Sequence, residues 1–214
     1  MRCVPGLFAF ATLALICAAP AYSVQLLYQT VRVETDAGPN LGTILGPGMD
    51  GHSEPTASPG TGYGTALYDD VLHTLTLDCT FSGLVATGSG TTASHIHAPT
   101  ALPFQGTVGV ATTTPTFAGF PLGVTSGVFH SVLNLTQSSS WNPAYVTANG
   151  GTTAGAESAF AAALASGKSY WNIHSQTFGG GEIRGFMQLV PEPASCVLVG
   201  LGVFGLASVT RRRS

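Results

Sequence analysis

The residues best equipped for chemistry are three histidines and the polar groups beside them. They fall in three short runs: Ser94-His95-Ile96-His97-Ala98-Pro99, Trp171-Asn172-Ile173-His174-Ser175 and Gly180-Gly181-Glu182-Ile183-Arg184-Gly185. In an extended strand, side chains at i and i+2 share a face. If Ile96, Ile173 and Ile183 point into a core, then His95, His97, Asn172, His174, Glu182 and Arg184 all point the other way, onto an outer face. His95 and His97, joined by His174 and the Glu182 carboxylate, make a ligand set suited to Zn²⁺ or Cu²⁺. The competing reading is a hydrogen-bonded polar cluster, with Asn172, Glu182 and Arg184 fixing the histidines on a solvated or loop-covered face. His52, His73 and His130 stand apart and read as surface or turn histidines.

Little else in the sequence suggests catalysis. There is no Gly-x-Ser-x-Gly, no His-Glu-x-x-His, no phosphate-binding loop with a lysine, and no cysteine beside a base. The carboxylates are too scattered to nominate a glycosidase pair. The expectation is therefore a protein that is not an enzyme and needs no cofactor, with Zn²⁺ or Cu²⁺ as the alternative.

Strands must position the three runs. Glycine, threonine and serine are abundant, and apolar residues come in short alternating stretches, the pattern of many short strands joined by turns. Strands are predicted at 25–33, 65–69, 71–84, 92–98, 107–113, 127–135, 169–175 and 181–190, with 37–64 as a long irregular connection. Across 71–84, Leu75, Leu77, Cys79 and Phe81 alternate with Thr74, Thr76, Asp78 and Thr80. One segment reads as helix: Ala154–Ser166 is alanine-rich, spaces Phe160 and Leu164 four apart, and meets Gly167 at its end. The expected fold is all-β, an antiparallel β-sandwich of Greek-key or immunoglobulin-like type with one short crossover helix.

The ends of the 214-residue chain read differently from its middle. Residues 1–23 have the layout of a cleavable signal peptide: Arg2, an apolar run from Val4 to Cys17, then Ala21-Tyr22-Ser23, with cleavage expected after Ser23. Ile16 is too large for the residue that precedes a lipidated cysteine, so Cys17 does not read as a lipid anchor. From Ala194 to Thr210 the chain is uncharged and mostly apolar, and Arg211-Arg212-Arg213 follows at once. About 17 residues of helix span ~26 Å, enough for a bilayer core, and the arginines would stay cytoplasmic. Between lies one domain, 24–190, with three cations (Arg32, Lys168, Arg184) against nine carboxylates, a net charge of −6. That balance argues against nucleic acid as a partner. Cys79 is the domain's only cysteine, so it has no internal disulfide.

Two resemblances follow. Pro191-Glu192-Pro193, the apolar helix and the terminal arginines together resemble the PEP-CTERM sorting signal, covering 191–214. It implies processing by an exosortase, after transient anchoring in the inner membrane, and release to a bacterial envelope or extracellular matrix. The domain resembles the CHRD domain, named for chordin. The matching elements are Gly64-Thr65-Ala66 leading into Leu75-Thr76-Leu77, then Phe81-Ser82-Gly83-Leu84, His95-Ile96-His97-Ala98-Pro99, Tyr170-Trp171-Asn172-Ile173-His174 and Gly180-Gly181-Glu182-Ile183-Arg184-Gly185, with Glu54-Pro55 upstream. Ala98 stands where the family usually has glycine, and Phe186 where it often has a polar residue. The family implies a β-sandwich in extracellular proteins and supplies no catalytic residues. His-x-His on a sandwich strand is also similar to copper-zinc superoxide dismutase, whose remaining ligand pattern is absent here. The combined expectation is an exported surface or matrix protein, handled by signal peptidase and exosortase, whose domain binds an envelope polysaccharide or surface protein. The alternative is a secreted, metal-binding and redox-active sandwich using His95, His97 and His174.

Overall fold

The computed structural model describes residues 24–35, 41–85, 88 and 90–191. The signal segment with Ser23, and Glu192, Pro193, the apolar stretch and Arg211–Arg213, lie outside the described residues. Among the described residues no helix is long and apolar enough to cross a membrane.

Among the described residues, nine strands and two α-helices follow in the order β1 (Gln25–Val33), β2 (Ile44–Pro47), β3 (Met49–Asp50), β4 (Thr61–Asp69), β5 (Thr74–Ser82), β6 (Thr91–His97), β7 (Gly127–Asn134), α1 (Pro143–Ala148), α2 (Thr153–Ala165), β8 (Tyr170–Ser175) and β9 (Ile183–Leu189), with a 3-10 turn at Ser138–Ser140 before α1. Every strand pairing is antiparallel. The pairings run continuously as β7-β5-β4-β1-β9-β8-β6. Tyr28 of β1 pairs with Ala66 of β4 on one edge and Leu189 of β9 on the other, so β1 hydrogen-bonds both layers together. Short β3 makes a second link, pairing Met49 with Gly62 of β4 and Asp50 with Arg184 of β9. The sandwich is thus one sheet folded over on itself rather than two separate sheets.

The alternation in β5 does what its pattern predicts: Leu75, Leu77, Cys79 and Phe81 are buried while Asp78, Thr80 and Ser82 are exposed. Between the layers, Phe129 of β7 meets Trp171 of β8 edge-on at 6.4 Å, and Phe117 meets the same ring at 5.8 Å. Burying each such side chain contributes ~1.5–3 kcal/mol. Trp171 approaches β4 so closely that a Cβ on Gly64 would sit 2.9 Å from its Cε3. The indole Nε1–H donates to Ser94 Oγ at 2.8 Å, so this buried donor is satisfied.

Four predicted features need correction. The 37–64 segment is not wholly irregular: it carries β2, β3 and the first turn-side residues of β4. Thr107–Thr113 forms no strand, only isolated bridges from Val110 to His97 and from Thr112 to Trp141, because it runs as a covering loop. A second helix, α1, escaped the pattern because six residues are too few to show a period. Its cap was legible, with Asn142 Oδ1 accepting from Ala144 N–H and Pro143 at the first helical position. Finally, β8 is buried at all six positions, so the face expected to look outward is covered as well. The predicted helix stands as α2, capped by Thr152 and closed by Gly167 at φ +66.

Candidate metal centre

Three neighbouring strands build the site. His95 on β6 lies across from Asn172 on β8, which lies across from Arg184 on β9; His97 lies across from Tyr170, and Tyr170 from Phe186. In the same register His174 lies opposite Ala93, two residues along β6 from His95 and so on the same face. The inferred facing is correct, since Ile96, Ile173 and Ile183 enter the core. The polar face, however, is not solvated: His95, His97 and His174 are 6, 8 and 8 % exposed, and Asn172, Glu182 and Arg184 no more than 3 %.

The three imidazoles converge. His95 and His174 have ring centroids 4.6 Å apart, His95 and His97 4.8 Å, and one ligand nitrogen from each comes within 4.8 Å of the others. Around a tetrahedral ion with bonds of ~2.0–2.1 Å, ligand nitrogens stand ~3.3–3.4 Å apart, so small side-chain rotations would close the set. Backbone carbonyls orient two of the rings. His97 Nδ1 lies 2.7 Å from the Val108 carbonyl and His174 Nδ1 lies 3.0 Å from that of Gly179, which fixes Nδ1 as the protonated nitrogen. Their Nε2 atoms are buried without any hydrogen-bond partner. Neither nitrogen of His95 has a well-formed hydrogen bond; the Pro115 carbonyl approaches but lies outside good geometry. Tyr170 stacks flat on His97 at 4.6 Å, and its hydroxyl shares the Val108 carbonyl.

Burial keeps these rings neutral. Desolvation, reinforced by the neighbouring His174 and His97, lowers His95 to about 3. Desolvation lowers His97 to about 4 against the opposing Val108 hydrogen bond, and His174 is lowered for the same reason. Neutral imidazoles with free lone pairs aimed together are metal donors, and a carbonyl on the far nitrogen is the usual support for a metal-ligating histidine. Three protein ligands leave a position for water or another molecule.

The other predicted site residues do different work. Glu182 stands apart from the histidine group: its Oε1 accepts from Ser58 Oγ at 2.6 Å and from Val85 N–H at 2.5 Å, tying two loops to the end of β9. Asn172 donates to the Gly180 carbonyl, packed so tightly that a Cβ at Gly181 (φ +134) would fall 2.3 Å from its amide nitrogen. Arg184 donates to the carbonyls of Ser53 and Gly106 and lies over the rings of Tyr170 and Phe186. Glu54 comes within 3.2 Å of its Nε, but that proton points at Ser53, so the pair is a charge contact without an aligned hydrogen bond. Burial raises Glu54 to about 7 despite the Arg184 charge. Neither Glu182 nor Arg184 hydrogen-bonds a histidine. His52, His73 and His130 are surface residues, but not isolated: each meets a carboxylate, Glu34, Glu157 and Asp78 respectively.

The orienting carbonyls of Val108 and Gly179 carry no side-chain signature, and sequence reasoning missed them. The Gly179–Gly181 run was their one trace. No curated protein and no solved structure matches the chain. A sequence profile described as the CHRD domain matches residues 48–187, a span that contains all three histidines and the loops that cover them. This chain therefore belongs to the CHRD domain family.

Proposed function

We propose that the chain is an exported surface or matrix protein whose CHRD domain holds a divalent transition metal, Zn²⁺ or Cu²⁺, through His95, His97 and His174. One observation carries the metal reading: three neutral, buried imidazoles converge with lone pairs that no protein donor satisfies. Leaving a buried polar group unpaired costs ~1–3 kcal/mol, and a cation removes that cost for all three at once. Membership of an extracellular domain family fits export.

Metal analysis of the protein recovered from the exported fraction tests the reading. Near-stoichiometric zinc or copper, lost on His95→Ala with His97→Ala, is expected. A metal-free protein whose melting curve ignores added Zn²⁺ and Cu²⁺ would leave the second reading, a passive binding or structural module for an envelope polysaccharide or surface protein. The fold class and the absence of a nucleophile motif favour that reading where metal fails.

Export and sorting form part of the proposal. The last described strand, β9, ends at Leu189, and Val190 N–H bonds the Leu27 carbonyl at 2.8 Å, immediately before Pro191-Glu192-Pro193. Cutting near that motif by an exosortase, and after Ser23 by signal peptidase, would leave every described strand intact. Mass spectrometry of the exported protein is expected to begin at Val24 and show no peptide beyond Pro193. Recovery of Arg211–Arg213 at the surface would contradict it.

A further inference from the structure

On the opposite side of the molecule from the histidines, the outer face of β4, β5 and β7 carries a groove of about 510 Å³. Its side chains lie in two cross-strand rows, Tyr63–Thr80–Val128 and Thr61–Ser82, with Ser126 at the end. Between them runs the row Gly62–Phe81–Gly127, whose only side chain turns into the core. Tyr63 and Val128 are 41 and 75 % exposed, large values for apolar groups on a sheet face. The Tyr63 hydroxyl donates to Gln29 Oε1 at 3.1 Å, which holds the ring in place across β1 and β4.

No charged side chain lines the groove. Along the sheet, Asp50 lies directly across from Thr61 with Arg32 3.8 Å from its carboxylate, and Asp78 is one row away, paired with His130 at 2.7 Å. Nucleic acids and anionic membranes are recognised by clustered cations, which the lining lacks. A protein interface needs a desolvated apolar centre, and here four hydroxyls surround one tyrosine and one valine. An aromatic face beside hydroxyl donors and acceptors matches a neutral hexose, whose C–H groups lie against a ring while its hydroxyls exchange hydrogen bonds. The net negative charge of the domain disfavours acidic polymers. We infer that this groove binds a neutral hexose polysaccharide, with Tyr63 as the stacking platform and Thr80 as a hydrogen-bonding contact. The inference rests on the reading of the chain as a surface or matrix protein and is independent of the metal.

Native electrophoresis of the exported protein through gels containing dextran, mannan, galactomannan or, as acidic controls, alginate and polygalacturonate tests it. Retardation by a neutral polymer is expected. Tyr63→Ala should weaken it about tenfold, while Tyr63→Phe retains most of it. Val128→Glu, at a freely exposed position, should also weaken it without changing the melting curve, whereas Leu102→Ser, exposed outside the groove, should leave it unchanged. Retardation by the acidic polymers alone, by none, or equally for Tyr63→Ala would overturn the inference. So would sedimentation showing a dimer that Val128→Glu dissociates, since a second copy would then cover the groove. Surface fractionation is read separately, so failure of binding is distinguishable from failure of export.

Discussion

Replacing His95 with leucine separates a metal ligand from a packed core residue. Both ring nitrogens are buried without a proper partner, and the residue is 6 % exposed. Leucine nearly matches the ring's volume and has no polar atom to desolvate. In metal-free protein the substitution is therefore expected to be neutral or to stabilise by ~1–2 kcal/mol. For a chain of this size that raises Tm by ~2–8 °C. Zn²⁺ at a hundred times its dissociation constant would stabilise the native protein by ~2.7 kcal/mol, or ~5–11 °C. His95→Leu keeps two ligands and should gain little. The order of the two melting curves thus reverses between EDTA and zinc. Melts followed by circular dichroism at pH 7.5 read this directly. If His95→Leu melts below the native protein by the same margin in both buffers, the imidazole is a packing group and the metal reading fails.

Three further outcomes are expected. Stability of the metal-free protein should fall as pH drops from about 6.5 towards 4, because His95 and His97 resist protonation when folded, near 3 and 4, but accept it when unfolded. Glu54, raised to about 7, works with the opposite sign, losing stability as pH rises from its ordinary carboxylate range through 7, and is outnumbered; urea midpoints across pH 4–8 measure the sum. Gly64→Ala should cost ~1–3 kcal/mol by driving a methyl to 2.9 Å from Trp171 Cε3, seen as a lower urea midpoint with unchanged slope. Tyr68→Phe should cost ~1–3 kcal/mol by removing a buried hydrogen bond to Glu157, with His73 left as that carboxylate's remaining side-chain partner.

The polar site was legible to a definite depth. His95, His97 and His174 could be found because strand periodicity puts His95 and His97 on one side of β6, and the same rule sets His174 opposite Ile173. Glu182 was grouped with them by that parity, which says nothing about position along the strand; its carboxylate turns to Ser58 and Val85 instead. Parity also predicts which face a residue occupies, not whether that face is wet. Burial of the histidines depends on the loops carrying Ser53, Val108 and Gly179, whose backbone groups do the holding.

Alternation and turn residues sufficed to set β1, β5, β7 and the helix α2, since local contacts along those segments agree with the tertiary ones. Family resemblance lay equally in the linear order of short motifs. Folding decided the rest. That β1 bonds both layers, that 107–113 is a lid and not a strand, and that three imidazoles from two strands meet in a dry pocket all depend on contacts between residues far apart in the chain. Backbone carbonyls, identical at every position of the sequence, acquire their roles only when such contacts bring them to a particular nitrogen.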